Sequence, residues 1–198
     1  INNQPPVASF SYSPVGSFTF DPIAFTDNSS DPENALSRWS WDYGDGTSFT
    51  TTDPLQKNPT KSYNDGNKDY TVSLTVYDNF NLSNTTSQIV SINNRKPFAV
   101  ISTNSTPRNN VISGTAPFTV TFDSNSYDLD GTVVNYEWYI NGLLGTPFTT
   151  KSFTYTFDTA RFIPYSVTLK VQDDDGAFSD LSNIGVKVNA PNISPVAV

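Results

Sequence analysis

Asp128 and Asp130 stand two positions apart, directly before Gly131, so a tight loop can aim both carboxylates at one point. Asp173 follows a strand-like run ending at Val171, and by alternation it shares the side of Val167, Leu169 and Val171. A hard cation such as Ca²⁺ takes about six to eight oxygens at roughly 2.3–2.6 Å, mixing carboxylates with carbonyls and water. Asp128, Asp130 and Asp173, with Asp175 or Asn125 in reserve, suit that donor set and predict a calcium site in the second half of the chain. The first half offers a weaker version in Asp31, Glu33 and Asp78, where Pro32 stiffens the loop and no Gly follows Glu33. The competing reading is that these acids start turns and accept backbone N–H bonds.

Aromatic residues raise a second kind of chemistry. Trp39, Trp41 and Tyr43 could stack on sugar rings, but their i, i+2, i+4 spacing puts all three on one strand face. That face is expected in a core, with Trp39 and Tyr43 partly lidding its ends. Tyr139 points the opposite way from Trp138, with Glu137 on its side, and is the better candidate for contact with a ligand. Catalysis is disfavoured: the chain has no His and no Cys, which removes the commonest general base and the thiolate nucleophile. Asp42 and Asp45 look like a carboxylate pair, yet in Asp42-Tyr43-Gly44-Asp45-Gly46 they are expected to hold a tight turn. The formal charge of −8 opposes binding to nucleic acid, and no apolar run approaches the ~20 residues that would span a bilayer.

The elements that must position these groups repeat. Tyr70-Thr71-Val72-Ser73-Leu74-Thr75-Val76-Tyr77-Asp78 returns as Tyr165-Ser166-Val167-Thr168-Leu169-Lys170-Val171-Gln172-Asp173, and Trp41 returns as Trp138. Pro6-Val7-Ala8 has counterparts at Pro97-Phe98-Ala99 and Pro195-Val196-Ala197. A period of roughly 95 residues marks a tandem array of small domains. Both long repeats alternate apolar with polar residues, the pattern of a strand with one buried face. Further strands are expected at Val7–Tyr12, Ile23–Thr26, Arg38–Tyr43 and Gln88–Ile92, then at Ala99–Thr103, Phe118–Phe122, Val133–Ile140, Phe153–Phe157 and Ile184–Val188. Asp45-Gly46, Asp65-Gly66, Asn141-Gly142 and Asp175-Gly176 punctuate them as turns. The fold class is therefore all-β: two tandem immunoglobulin-like β-sandwiches, 1–94 and 95–190, joined by a short linker, with 191–198 a linker and the start of a further repeat.

Trp41-Asp42-Tyr43-Gly44-Asp45-Gly46-Thr47, Asn58-Pro59-Thr60-Lys61-Ser62-Tyr63, and Tyr70-Thr71-Val72 through Val76-Tyr77-Asp78 resemble the signature of the PKD (polycystic kidney disease) domain. The second unit is similar in Ser126 through Gly131, in Tyr136-Glu137-Trp138 and in Tyr165 through Gly176. It departs by carrying Ile140-Asn141-Gly142 in place of the Gly-Asp-Gly turn, and the first unit has Lys61 where the family often has His. The resemblance implies extracellular, non-catalytic modules serving as spacers, adhesins or substrate-contacting accessories, with calcium at matching positions in some members.

Together these readings predict a non-catalytic extracellular spacer and interaction module of a larger secreted or cell-surface protein. Asn93-Asn94-Arg95-Lys96-Pro97 is expected to make the array semi-rigid. Ca²⁺ in the second domain is the only cofactor expected. The expected partners are other domains of the parent chain and extracellular polysaccharide or protein, with end-to-end self-association as a further expectation. Nucleic acid and membrane insertion are not expected. The rival readings are a polysaccharide- or protein-binding accessory of a secreted hydrolase, and a repeating subunit of a surface layer or filament.

Overall fold

The computed structural model describes residues 3–33, 36–142 and 148–192. The chain divides into two compact units, Ile1–Arg95 and Lys96–Val198. The third Pro-Val-Ala segment, at 195–197, lies outside the described residues.

The first unit holds β1 (Phe10–Ser13), β2 (Ile23–Asp27), β3 (Leu36–Asp42), β4 (Ser48–Thr51), β5 (Thr60–Lys61), β6 (Lys68–Asp78) and β7 (Ser83–Ile92). They form two sheets, ordered β1-β2-β5 and β4-β3-β6-β7. The second unit holds β8 (Ile101–Thr103), β9 (Val111–Thr115), β10 (Phe118–Ser124), β11 (Val133–Ile140), β12 (Ser152–Phe157), β13 (Tyr165–Asp173) and β14 (Ser182–Asn189). Its sheets are ordered β12-β10-β8 and β11-β13-β14-β9. Every strand pairing is antiparallel except that of β9 with β14, which is parallel. The all-β, immunoglobulin-like architecture expected from alternation is the one observed.

Alternation explains where each core sits. In β6 Tyr70, Val72, Leu74 and Val76 are buried, and in β13 Val167, Leu169 and Val171 are fully buried. Trp41 pairs with Leu74 and Trp138 with Leu169, so the two repeats share one register as well as one motif. Each indole is completely buried and still satisfies its N–H: Trp41 Nε1 donates to Lys57 O at 3.1 Å and Trp138 Nε1 to Thr150 O at 3.0 Å. Edge-on contacts complete the packing, Phe10 against Trp41 at 5.1 Å and Phe153 against Trp138 at 5.3 Å between centroids.

Three differences from expectation have local causes. Trp39 and Tyr43 do not lid the core; they are 3% and 5% exposed, within it. The strands at Val7 and Ala99 start later, at Phe10 and Ile101, because Val7 makes only an isolated bridge to Ser30 and Phe98 one to Tyr127. β4, β5 and β9 were not foreseen. β4 and β5 are short and polar, and β9 contains Gly114, whose missing side chain leaves room for the Phe118 ring.

Candidate functional site

The acid cluster of the second unit is built from two loops. The first runs from β10 to β11 and is anchored by reciprocal backbone bonds between Phe98 and Tyr127, whose rings stack at 5.1 Å. Asn125 N donates to Val100 O at 2.9 Å, and Ser124 Oγ to Ser126 Oγ at 2.7 Å. The second loop turns from β13 toward β14. Asp173 is buried at its start, its Oδ1 accepting Ala177 N at 2.7 Å. Asp174 clasps the loops together: its Oδ1 accepts Thr132 N at 2.7 Å while its own N donates to Thr132 O at 3.0 Å.

Gly131 makes that close approach feasible. A Cβ there would lie 2.4 Å from Asp174 Oδ1 and 2.9 Å from Asp128 Oδ2, so both carboxylates occupy the space a side chain would need. Asp128 Oδ1 accepts Leu129 N at 2.8 Å, but Oδ2 is buried and receives no hydrogen bond from an N–H or neutral O–H group. Burial first, and then the Asp130 charge with a smaller push from Asp173, raise the Asp128 pKa to about 6. Asp128 can bond Asp130 only through a shared proton, so either a proton or a cation relieves the repulsion between them. Backbone donation from Thr132 holds Asp174 below the ordinary range.

The structure thus brings Asp130 and Asp173 within electrostatic reach of Asp128 and leaves Asp175 and Asn125 with exposed side chains. Among the described residues no group of three or more acids closes into a ready-made metal shell. Carboxylate oxygens are the donor type a hard cation takes, and carbonyls and water would be needed to complete a shell here. Asp174 was not foreseen. Its signal was the run Asp173-Asp174-Asp175-Gly176, three acids before a glycine.

In the first unit protein donors occupy Asp78 and one oxygen of Asp31, whose Oδ2 is buried without a hydrogen bond. Buried Asp78 accepts Asn3 Nδ2 at 2.6 Å, Phe80 N at 2.8 Å and Leu82 N at 2.9 Å. Burial pushes its pKa up, but these donors outweigh it and hold the carboxyl below the usual range. Asp31 Oδ1 takes Glu33 N at 2.9 Å, and Glu33 is itself exposed. The Asp78 contacts and that of Asp31 Oδ1 are those of turn-holding acids.

Asp42 and Asp45 likewise hold a turn: Asp42 Oδ1 accepts Gly44 N and Asp45 Oδ1 accepts Thr47 N, each at 2.9 Å. Gly44 has φ +74°, and a Cβ there would lie 2.6 Å from Thr71 O. A buried polar node was missed entirely. Asp27, its side chain fully enclosed, accepts Trp39 Nε1 at 2.8 Å and pairs with Lys57 Nζ at 3.1 Å. Nothing in the spacing of these three residues links them. On the outer face of β11, Tyr139 is 44% exposed and its Oη donates to Glu137 Oε2 at 3.4 Å.

Fold and site together define a pair of immunoglobulin-like β-sandwiches. Residues 3–92 match the model of the PKD domain family, a match that spans the first unit. The chain is similar to the PKD1 domain of Vibrio anguillarum Epp, with 30% identity over 46% of this chain and 98% of that one, at a TM-score of 0.39. It is also similar to the PKD1 domain of the Vibrio cholerae metalloprotease PrtV, with 29% identity over 46% and 99%, at a TM-score of 0.38. The chain belongs to the PKD domain family.

Proposed function

We propose that the chain is a non-catalytic accessory module of a larger extracellular protein. It positions neighbouring domains and offers its polar sheet faces for contact. One observation supports this best: the residues that resemble catalytic or stacking groups are taken up by structure. Trp39, Trp41, Tyr43 and Trp138 fill the cores, while Asp42 and Asp45 accept turn N–H groups. A surface depression of about 460 Å³ is bounded by Asn141, Arg161, Phe162, Ile163 and Pro164, with no acid–base pair in it. Among the described residues no helix is long and apolar enough to cross a membrane.

The second unit adds a Ca²⁺ site at Asp128, Asp130 and Asp173, where the cation would replace the proton the two loop carboxyls otherwise share. Isothermal titration with CaCl₂ tests it on the wild type and on Asp128→Asn. Binding in the first and none in the second supports the site, and an unchanged isotherm overturns it.

The exposed Tyr139 ring with Glu137 beside it favours a second reading, polysaccharide contact by the outer face of β11. Pull-down on insoluble chitin, cellulose and collagen separates the two. A spacer stays in the supernatant, whereas a binding module is retained and loses retention on Tyr139→Ala.

A further inference from the structure

β7 ends one sheet of the first unit and runs in unbroken register with β6, from Tyr77↔Ser83 to Lys68↔Ile92. Its counterpart β14 is covered on its outer side by β9, in parallel pairs from Gly185↔Val111 to Asn189↔Thr115. In the first unit the corresponding segment makes a single parallel bridge, Phe18↔Asn93. Side-chain bonds tie β7 to the β1 segment, Ala8 N to Asn84 Oδ1 at 3.0 Å and Gln88 Nε2 to Phe10 O at 2.5 Å, but among the described residues no strand pairs with most of its outer edge.

Alternation assigns the groups that lie along it. Ile89 O accepts Tyr12 Oη at 3.0 Å, and Asn93 N donates to Ser17 O at 2.8 Å, both away from β6. Odd-numbered residues thus turn their N–H and C=O outward: Ser83, Thr85, Ser87, Ile89 and Ser91, all with exposed side chains. Sheets normally blunt such edges with charge, proline or a bulge. β7 has no ionisable residue and no proline, and its register is continuous. Thr71, Ser73 and Thr75 on the outer face of β6, and Ser11 and Ser13 of β1, are uncharged too, and the strip ends at Asp69, which stands opposite Ser91. In a chain of net charge −8 this neutral strip is where two copies can meet without opposing like charges.

We propose that β7 of one copy pairs antiparallel with β7 of a second copy about a two-fold axis at Ser87, joining two first units through one continuous sheet. Ser87 then faces its own counterpart, Thr85 faces Ile89 of the second copy, and Ser83 faces Ser91. Ile89, 60% exposed, loses contact with water, and Tyr12 Oη yields Ile89 O to an incoming N–H. The pairing is self-complementary, as a two-fold interface requires.

Sedimentation equilibrium of the 198-residue chain over a wide concentration range tests this, with Ser87→Lys and Ser87→Asp as probes. Both substitutions fall on an exposed side chain and set like charges face to face across the axis. The expected result is a wild-type mass rising above 21.7 kDa with concentration, either variant alone holding at 21.7 kDa, and an equimolar mixture of the two associating again. A wild type that stays monomeric, an association that Ser87→Lys leaves intact, or a mixture that fails to associate overturns the pairing.

Discussion

Lys61 Nζ lies 2.6 Å from Asp45 Oδ2 and donates to Thr47 Oγ1 at 3.0 Å, so one ammonium braces the Gly44–Thr47 turn from the next sheet. It also sits over the rings of Tyr43 and Tyr63, at 5.5 and 5.6 Å. Burial pushes the Asp45 pKa up, but hydrogen bonds from Lys61 and Thr47 outweigh it and hold the carboxyl below its ordinary 3.8. A folded pKa below the unfolded one means stability present above pH 3.8 and lost as pH falls through the folded value. The first unit should lose stability below about pH 4, and Asp45→Asn should flatten that loss in an acid titration followed by tryptophan fluorescence.

The second unit should respond in the opposite sense over a different window. The folded Asp128 pKa of about 6 exceeds its unfolded 3.8, so the folded state holds the extra proton between those values. Stability therefore falls as pH rises from about 4 to 6 and levels off above. Ca²⁺ should cancel that fall, adding about 2.7 kcal/mol at a hundred times its Kd. Melting curves with Ca²⁺ and with a chelator check both parts, and Asp128→Asn should abolish both the pH slope and the calcium shift.

Removing Asp27 should cost more than removing a surface acid. Asp27→Ala leaves the buried Trp39 Nε1 without its acceptor, while Lys57, one-third exposed, turns to water. The expected loss is about 1–3 kcal/mol, confined to the first unit's unfolding transition in urea.

Trp41→Ala and Trp138→Ala should each empty one core and leave the other intact, because the two buried clusters share no residue. Each should destabilise its own unit by about 3–5 kcal/mol. Calorimetry should then show one transition moved and the other unmoved, exchanging roles between the two variants.

The sequence made the cores legible because burial on a sheet is written in a period of two. Val72, Leu74 and Val76, and their second copies, needed no knowledge of partners to be assigned inward. The acid cluster was legible in part: Asp128 and Asp130 are near in sequence, and Asp173 could be aimed inward by counting from Val171. The clasp by Asp174 was not, because it depends on Thr132 arriving opposite it from another loop. Nor was the Asp27–Trp39–Lys57 node, whose members come from β2, β3 and the segment before β5. Contacts between segments without a shared period leave no mark on either segment alone.

The parallel pairing of β9 with β14 has a mechanical meaning. A strand drawn lengthwise past a parallel neighbour loads all the intervening hydrogen bonds at once, whereas peeling breaks them singly. The second unit has such a shear clamp from Val111 to Thr115, while the first has one bridge at Phe18. Stretched from its ends, the chain should yield first in its N-terminal half, at the lower force, with the C-terminal half giving way later in a second and higher peak by single-molecule pulling.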